Sequence, residues 1–291
     1  MDFDAFIDQA WTDHASDPVT VAARLQAEGM ALVGNAQQLS AMAHLAHHIF
    51  GSHLARWEAG IQFQQQLAAL PHCASDSAEA LAIARHVSAL RLAGGLGDDR
   101  PAATASDRIR LTALAANNLV EHDARRAAAL LEDALAMAET AGLPDSDPCH
   151  RTLAVAGNNT ASTLEEKPTL SAEDKRLMIL AAQVGRKHWA IAGTWLETER
   201  AEYRLAMSWL KAGDTTQARQ HAQNCLEIVA AHDDVALEAF FGWEALGLVE
   251  RAAGNATGHA HAVAQAEAAF ARLAESDQGW CRASLDKLKS S

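Results

Sequence analysis

The sequence predicts an all-α protein, and three observations support this fold class. Apolar residues recur at intervals of three and four along most of the chain, as on the buried face of a helix; Leu39, Met42, Leu45 and Ile49 form one such stripe. Alanine, the strongest helix former, is abundant, whereas the 291 residues include only six prolines. The alternation of apolar and polar residues that is typical of strands does not occur. We therefore expect helices along the whole sequence.

Capping residues and helix breakers place the predicted helix boundaries. Asp17-Pro18 begins a helix that should run to about Leu32, and Gly34-Asn35 ends it. The same signals recur along the chain and divide it into helices of ordinary length. The predicted helices span about 2–13, 18–32, 37–50, 53–70, 77–94, 107–121, 123–141, 147–164, 172–190, 194–212, 215–231, 234–253 and 258–275.

Three junctions between these helices have distinct sequence signals. Gly51-Ser52 is interpreted as a turn that separates two helices. Residues 96–106 form the longest irregular stretch and are expected to be a loop. Ser171 and Asp174 are spaced as in a capping box, which marks the start of a helix.

Composition excludes several classes of partner. The formal net charge of −13 argues against a general nucleic-acid binder, which needs a basic face to displace counterions. The N-terminal segment is acidic where a signal peptide would be basic, and no apolar run approaches the roughly 18 residues of a membrane span. Single, widely separated cysteines are typical of reduced thiols. We expect a soluble cytoplasmic protein whose thiols are Cys73, Cys149, Cys225 and Cys281.

Residues 201–255 contain two helical hairpins in series with the same order of aromatic and small residues. In the first hairpin Trp209 precedes the turn at Gly213-Asp214, and the second hairpin turns at Gly254. The other matching positions are Leu205, Ala206, Ala218, Cys225, Leu226, Trp243, Leu246, Gly247 and Asn255. This arrangement resembles the tetratricopeptide repeat. The period from Gly213 to Gly254 is 41 residues, longer than the roughly 34 typical of that family.

The resemblance implies a right-handed α-α superhelix, a TPR-like solenoid of about six helical hairpins. Residues 1–291 would then form a single domain, with capping helices over 1–35, repeats over 36–275 and a C-terminal cap over 276–291. Because each repeat packs on its neighbours, small residues should lie where helices cross. The repeat alignment places these packing positions at Ala46, Ser88, Val120, Ala161, Ala206 and Gly247.

A row of mostly polar residues precedes the packing positions by two residues. In tetratricopeptide relatives, asparagine and basic residues at this phase hold an extended peptide in a concave groove. Asparagine presents both a donor and an acceptor, and arginine grips a carboxylate through two bonds. The resemblance thus implies a non-enzymatic scaffold that binds a peptide or protein segment. The alternative is that the polar row is only the solvent-exposed face of the helices and binds nothing. The groove candidates are His44, His86, Asn118, Asn159, Arg200, Tyr203 and Arg204.

The histidines near residue 48 suggest a metal site as an alternative. His44 and His48 are four residues apart, so both imidazoles should lie on one helical face, with His53 and His86 nearby. The HExxH pattern is absent, and no carboxylate stands at ligand spacing in that helix. We therefore favour ordinary packing and expect no metal and no cofactor.

Cys225 suggests a second enzymatic alternative. His221 lies four residues earlier, and a cysteine-histidine pair can generate a thiolate nucleophile. Cys225 occupies a repeat position that usually holds a buried alanine, so we favour packing here as well. A further alternative is a homo-oligomer that associates through Trp189, Trp195 and Trp280.

Overall fold

The computed structural model of the chain describes residues 2–97, 104–232 and 235–290, and these residues form helices and no β-strand. The all-α prediction is confirmed for this part of the chain. The centre of the expected loop, 98–103, lies outside the described residues. No helix in the described ranges is both long and apolar enough to cross a bilayer. The chain divides into two compact units, Met1–Thr152 and Leu153–Ser291.

The first unit, unit 1, consists of helices that mostly contact the next helix in sequence. Its helices are α1 (Phe3–Asp13), α2 (Pro18–Arg24), α3 (Met30–Leu32), α4 (Ala36–His47), α5 (Trp57–Ala68), α6 (Ala78–Gly94), α7 (Ala105–Asn118), α8 (Ala124–Thr140) and the start of α9 (Pro148–Glu166). Asp17 and Asn35 cap the helices that follow them, because their side chains accept backbone N–H bonds from the first turn. Two π-helical segments, Leu25–Gly29 and His48–His53, continue α2 and α4.

The expected turn at Gly51-Ser52 is wrong, since both residues lie inside the π-helical segment His48–His53. Gly51 is needed there for space rather than for a turn: a Cβ atom on it would lie 2.7 Å from Oδ1 of Asn118. The chain turns after Leu54, at Ala55, whose positive φ of 48° is costly for a residue with a side chain.

The core of unit 1 lies between its N-terminal helices. Phe6 of α1 packs in the same buried cluster as Leu39 and Leu45 of α4 and Phe63 of α5. The apolar stripe predicted on α4 is therefore buried as expected, with Met42 also fully covered.

The second unit, unit 2, contains the remainder of α9 and six further helices. These are α10 (Ala172–Ala192), α11 (Trp195–Ala212), α12 (Thr215–Ala230), α13 (Ala236–Ala252), α14 (Ala256–Phe270) and α15 (Glu275–Lys289). From α10 to α15 each helix contacts the next one, and α11 also contacts α13, which in turn contacts α15. The capping box at Ser171 and Asp174 is present, and Gly213 ends α11 in the left-handed conformation.

Small residues allow the helices of unit 2 to approach closely. Ala206, Ala222 and Ala245 form a buried cluster shared by α11, α12 and α13. At the crossing of α9 and α10, a Cβ atom on Gly157 would lie 2.6 Å from the backbone nitrogen of Gly185. The packing positions that the repeat phase predicted are buried throughout, at Ala46, Ser88, Val120, Ala161, Ala206 and Gly247.

We predict that Gly157→Ala destabilises the protein by about 1–3 kcal/mol, because the added methyl group would meet backbone atoms that cannot move aside. Gly279→Ala in α15 is the matched control, since a Cβ atom there meets nothing within 4 Å. It should stabilise the protein by about 0.5–1 kcal/mol, the helix preference of alanine over glycine. Urea denaturation measures both free energies of unfolding, and a Gly157→Ala variant as stable as the wild type would contradict the close crossing.

Candidate functional site

The predicted groove residues of unit 1 differ in accessibility. His44 is exposed on α4, and its ring centroid lies 5.6 Å from that of Trp11. His86 is buried on α6, where its ring stacks on His47 with centroids 4.5 Å apart. Burial, followed by repulsion from His44 and Arg85, lowers the pKa of His86 to about 3. His86 is therefore neutral near pH 7 and is covered by its neighbours.

Asn118 is fully buried at the end of α7, with 0% of its surface exposed. Its Oδ1 accepts a hydrogen bond of 3.1 Å from Oγ of Ser52 and lies against Gly51. The side chain thus joins α7 to the π-helical segment His48–His53. This placement counts against Asn118 as a contact for an external peptide.

In unit 2, Asn159 is exposed on α9, and its neighbour Asn158 is half-buried. Nδ2 of Asn158 donates to Oδ1 of Asn159 over 3.4 Å. The paired asparagines that the sequence singled out therefore contact each other, and the Asn159 side chain is accessible to a ligand.

Arg204 on α11 pairs with a carboxylate of the protein itself. Its Nη1 donates to Oε2 of Glu165 on α9, and Oγ of Ser208 donates to Oε1 of the same carboxylate over 2.5 Å. Only 22% of the Arg204 side chain is exposed. Burial raises the pKa of Glu165, although the cation of Arg204 opposes that shift. Arg204 therefore links two helices.

The other two candidates on α11 also meet carboxylates. Oη of Tyr203 donates to Oε2 of Glu244 over 3.1 Å, and Nη2 of Arg200 donates to Oε1 of Glu238 over 2.9 Å. Arg200 differs from Arg204 because 60% of its side chain is exposed. The sequence pattern did not reveal Glu244 and Glu238 as partners of Tyr203 and Arg200. The signal was available in the Tyr203–Glu244 pair, whose members are 41 residues apart, one repeat period.

An aromatic surface lies beside these residues. The ring of Tyr203 meets Phe241 of α13 edge-on, with centroids 5.8 Å apart. Phe241 stacks on Trp280 of α15 at 5.3 Å, and 58% of Trp280 is exposed. Together with Arg200, these side chains form a surface on α11, α13 and α15 that we call the aromatic face: Arg200, Tyr203, Phe241 and Trp280.

Cys225 and His221 do not form a reactive pair. Cys225 is fully buried, and its thiol donates to the backbone oxygen of Glu199 over 3.6 Å. Burial, followed by the negative charge of Glu199, raises the pKa of the Cys225 thiol. Nδ1 of His221 instead lies 2.6 Å from Oε2 of Glu202. The geometry favours a packing role for Cys225.

The histidines that lie closest together are not His44 and His48, the pair that the sequence suggested. His48 and His53 lie close to His14, and one ring nitrogen of each lies within 4.8 Å of the others. His44 and His86 are outside this group. His14 was missed because it follows α1, far from the other two in sequence, and no local spacing connects them.

Glu199 is an unsatisfied acid at the centre of unit 2. It is 1% exposed, and its Oε1 has no hydrogen-bond partner among the described residues. Burial, followed by repulsion from Glu238, raises its pKa to about 7, whereas Arg200 opposes the shift. The folded protein therefore binds the carboxyl proton of Glu199 more tightly than the unfolded chain does, because the pKa of an unperturbed glutamate is about 4.3.

We predict that ionisation of the buried Glu199 costs stability as pH rises from about 4.5 to about 7, so the stability of Glu199→Gln relative to the wild type increases over this range. Glu199→Gln should remove this loss and stabilise the protein at pH 8 by about 1–3 kcal/mol. Urea denaturation across this pH range measures the effect, with the exposed Glu227→Gln as the matched control. Equal pH dependence in Glu199→Gln and wild type would contradict the assignment.

Comparisons of the chain with protein-family models, curated protein sequences and solved structures found no significant match. The resemblance to tetratricopeptide repeats rests on the sequence pattern and stays a prediction.

Proposed function

We propose that the protein is a non-enzymatic scaffold that binds an extended peptide or protein segment on the aromatic face of unit 2. The main observation is that Trp280 is 58% exposed while it stacks on Phe241 of α13, the helix whose Glu238 pairs with the exposed Arg200. In the same proposal the helices form a right-handed superhelix of the tetratricopeptide type. A cytoplasmic location fits the free thiols of all four cysteines.

The chemistry of the aromatic face supports a protein ligand. Tryptophan, tyrosine and arginine dominate the energetics of protein interfaces, because they offer large contact areas and directed hydrogen bonds. Tyr203 and Phe241 are half-buried; Tyr203 packs edge-on against Phe241, and Phe241 stacks on Trp280. A bound segment would place an apolar side chain on Trp280 and a carboxylate at Arg200.

The original groove candidates then take different roles. Arg204 and Tyr203 support the surface, since both are engaged with carboxylates of unit 2. Arg200 and Asn159 are the exposed polar candidates of unit 2, able to contact a peptide directly. The proposal does not use the unit 1 residues His44, His86 and Asn118.

The proposal predicts that Trp280→Ala weakens peptide binding at least about tenfold, as expected for a hot-spot tryptophan. Random peptides displayed on phage are selected against the wild type, and affinities of the selected peptides are then measured by calorimetry. Arg200→Ala should cost less, since Glu238 already neutralises part of its charge.

The matched control is Leu81→Ala, which removes an apolar side chain that is 54% exposed in unit 1. The peptide affinity of Leu81→Ala should equal that of the wild type. Trp280→Ala should have the melting temperature of the wild type, because the Trp280 side chain is mostly exposed. Selected peptides that bind Trp280→Ala as tightly as the wild type would contradict the proposed surface.

A further inference from the structure

Three histidines of unit 1 converge where α1 ends and the π-helical segment His48–His53 runs past it. Nε2 of His48 and Nε2 of His53 lie 3.0 Å apart, and the ring of His14 is centred 5.3 Å from that of His48 and 5.4 Å from that of His53. Each of the three side chains is half-buried, so the group is accessible from solvent.

The π-helical segment brings two of these histidines together. Residues five apart are joined across one turn of a π-helix, as shown by the hydrogen bond from the Leu54 nitrogen to the Ile49 oxygen. In an α-helix the same spacing would direct His48 and His53 to different faces. Single π-helical turns in α-helices frequently coincide with functional sites.

A hydrogen bond to a residue outside the group orients the ring of His14. Nδ1 of His14 donates to the backbone oxygen of Trp11, which leaves Nε2 as the ring nitrogen with a free lone pair. Oε2 of Glu121 lies 3.7 Å from Nδ1 of His53, near enough for an electrostatic contact but too far for a hydrogen bond. A hydrogen bond from the second ring nitrogen, as in His14, accompanies nearly all metal-binding histidines.

The ring of Trp11 lies next to two of the three histidines. Its ring is centred 5.2 Å from His14 and 5.3 Å from His48, and thus restricts the rotation of both imidazoles.

We propose that His14, His48 and His53 bind one divalent transition-metal ion, Zn²⁺ foremost, through three imidazole nitrogens. A tetrahedral zinc ion with Zn–N bonds of about 2.0–2.1 Å separates its ligand nitrogens by about 3.4 Å. The spacing of 3.0 Å between Nε2 of His48 and Nε2 of His53 is already close to that value, and a ring nitrogen of His14 lies within 4.8 Å of both side chains' ligand nitrogens. Three histidines leave a fourth position for water or another ligand.

Cobalt titration of protein purified without a polyhistidine tag tests the proposal near neutral pH. One Co²⁺ ion per chain should bind with the visible absorption of four-coordinate cobalt, and Zn²⁺ should displace it. His14→Gln, His48→Gln and His53→Gln should each lower the affinity at least about tenfold, because each removes one imidazole ligand. His72→Gln, which changes an exposed histidine outside the group, is the matched control and should bind like the wild type.

Two results would overturn the proposal: failure of the wild type to bind a stoichiometric ion, or equal affinities for His14→Gln, His72→Gln and wild type. Circular dichroism verifies that each variant is folded. If His48→Gln does not fold, His14→Gln and His53→Gln decide the outcome, because both replace half-exposed side chains.

Discussion

Carboxylates that lie between helices hold unit 2 together. Glu202 on α11 accepts hydrogen bonds from Arg186 on α10 and from His221 and Asn224 on α12, so one side chain joins three helices. Burial alone would raise the pKa of Glu202, but these hydrogen bonds and the charge of Arg186 lower it. A buried charge without such partners would be strongly destabilising. Glu165 joins α9 to α11 in the same way.

These links also determine which surface remains for a partner. Arg204 and Tyr203 were expected to meet a ligand, but they are engaged with Glu165 and Glu244 and therefore position α11 against its neighbours. Arg200 and Trp280 remain accessible on the outside of that framework.

The sequence predicted the helices well because their start signals are local: Ser171 forms its capping box with a residue three positions away. It failed where a residue acts through distant contacts. Gly51 suggested a turn, whereas its role is to make room for Asn118, and the same contact buries the asparagine that was expected in a groove. His14 and Glu165 join their sites only through the tertiary fold, so the spacing of residues within one helix could not reveal them.

A double-mutant cycle on Arg204 and Glu165 tests most directly whether these carboxylates link the helices of unit 2. Arg204→Ala, Glu165→Ala and the double variant are compared with the wild type by urea denaturation. If the ion pair between Arg204 and Glu165 stabilises unit 2, the coupling free energy should be about 0.5–3 kcal/mol, since each single change leaves a partly buried charge without its partner. Additive effects of the two substitutions, within about 0.3–0.5 kcal/mol, would contradict the account.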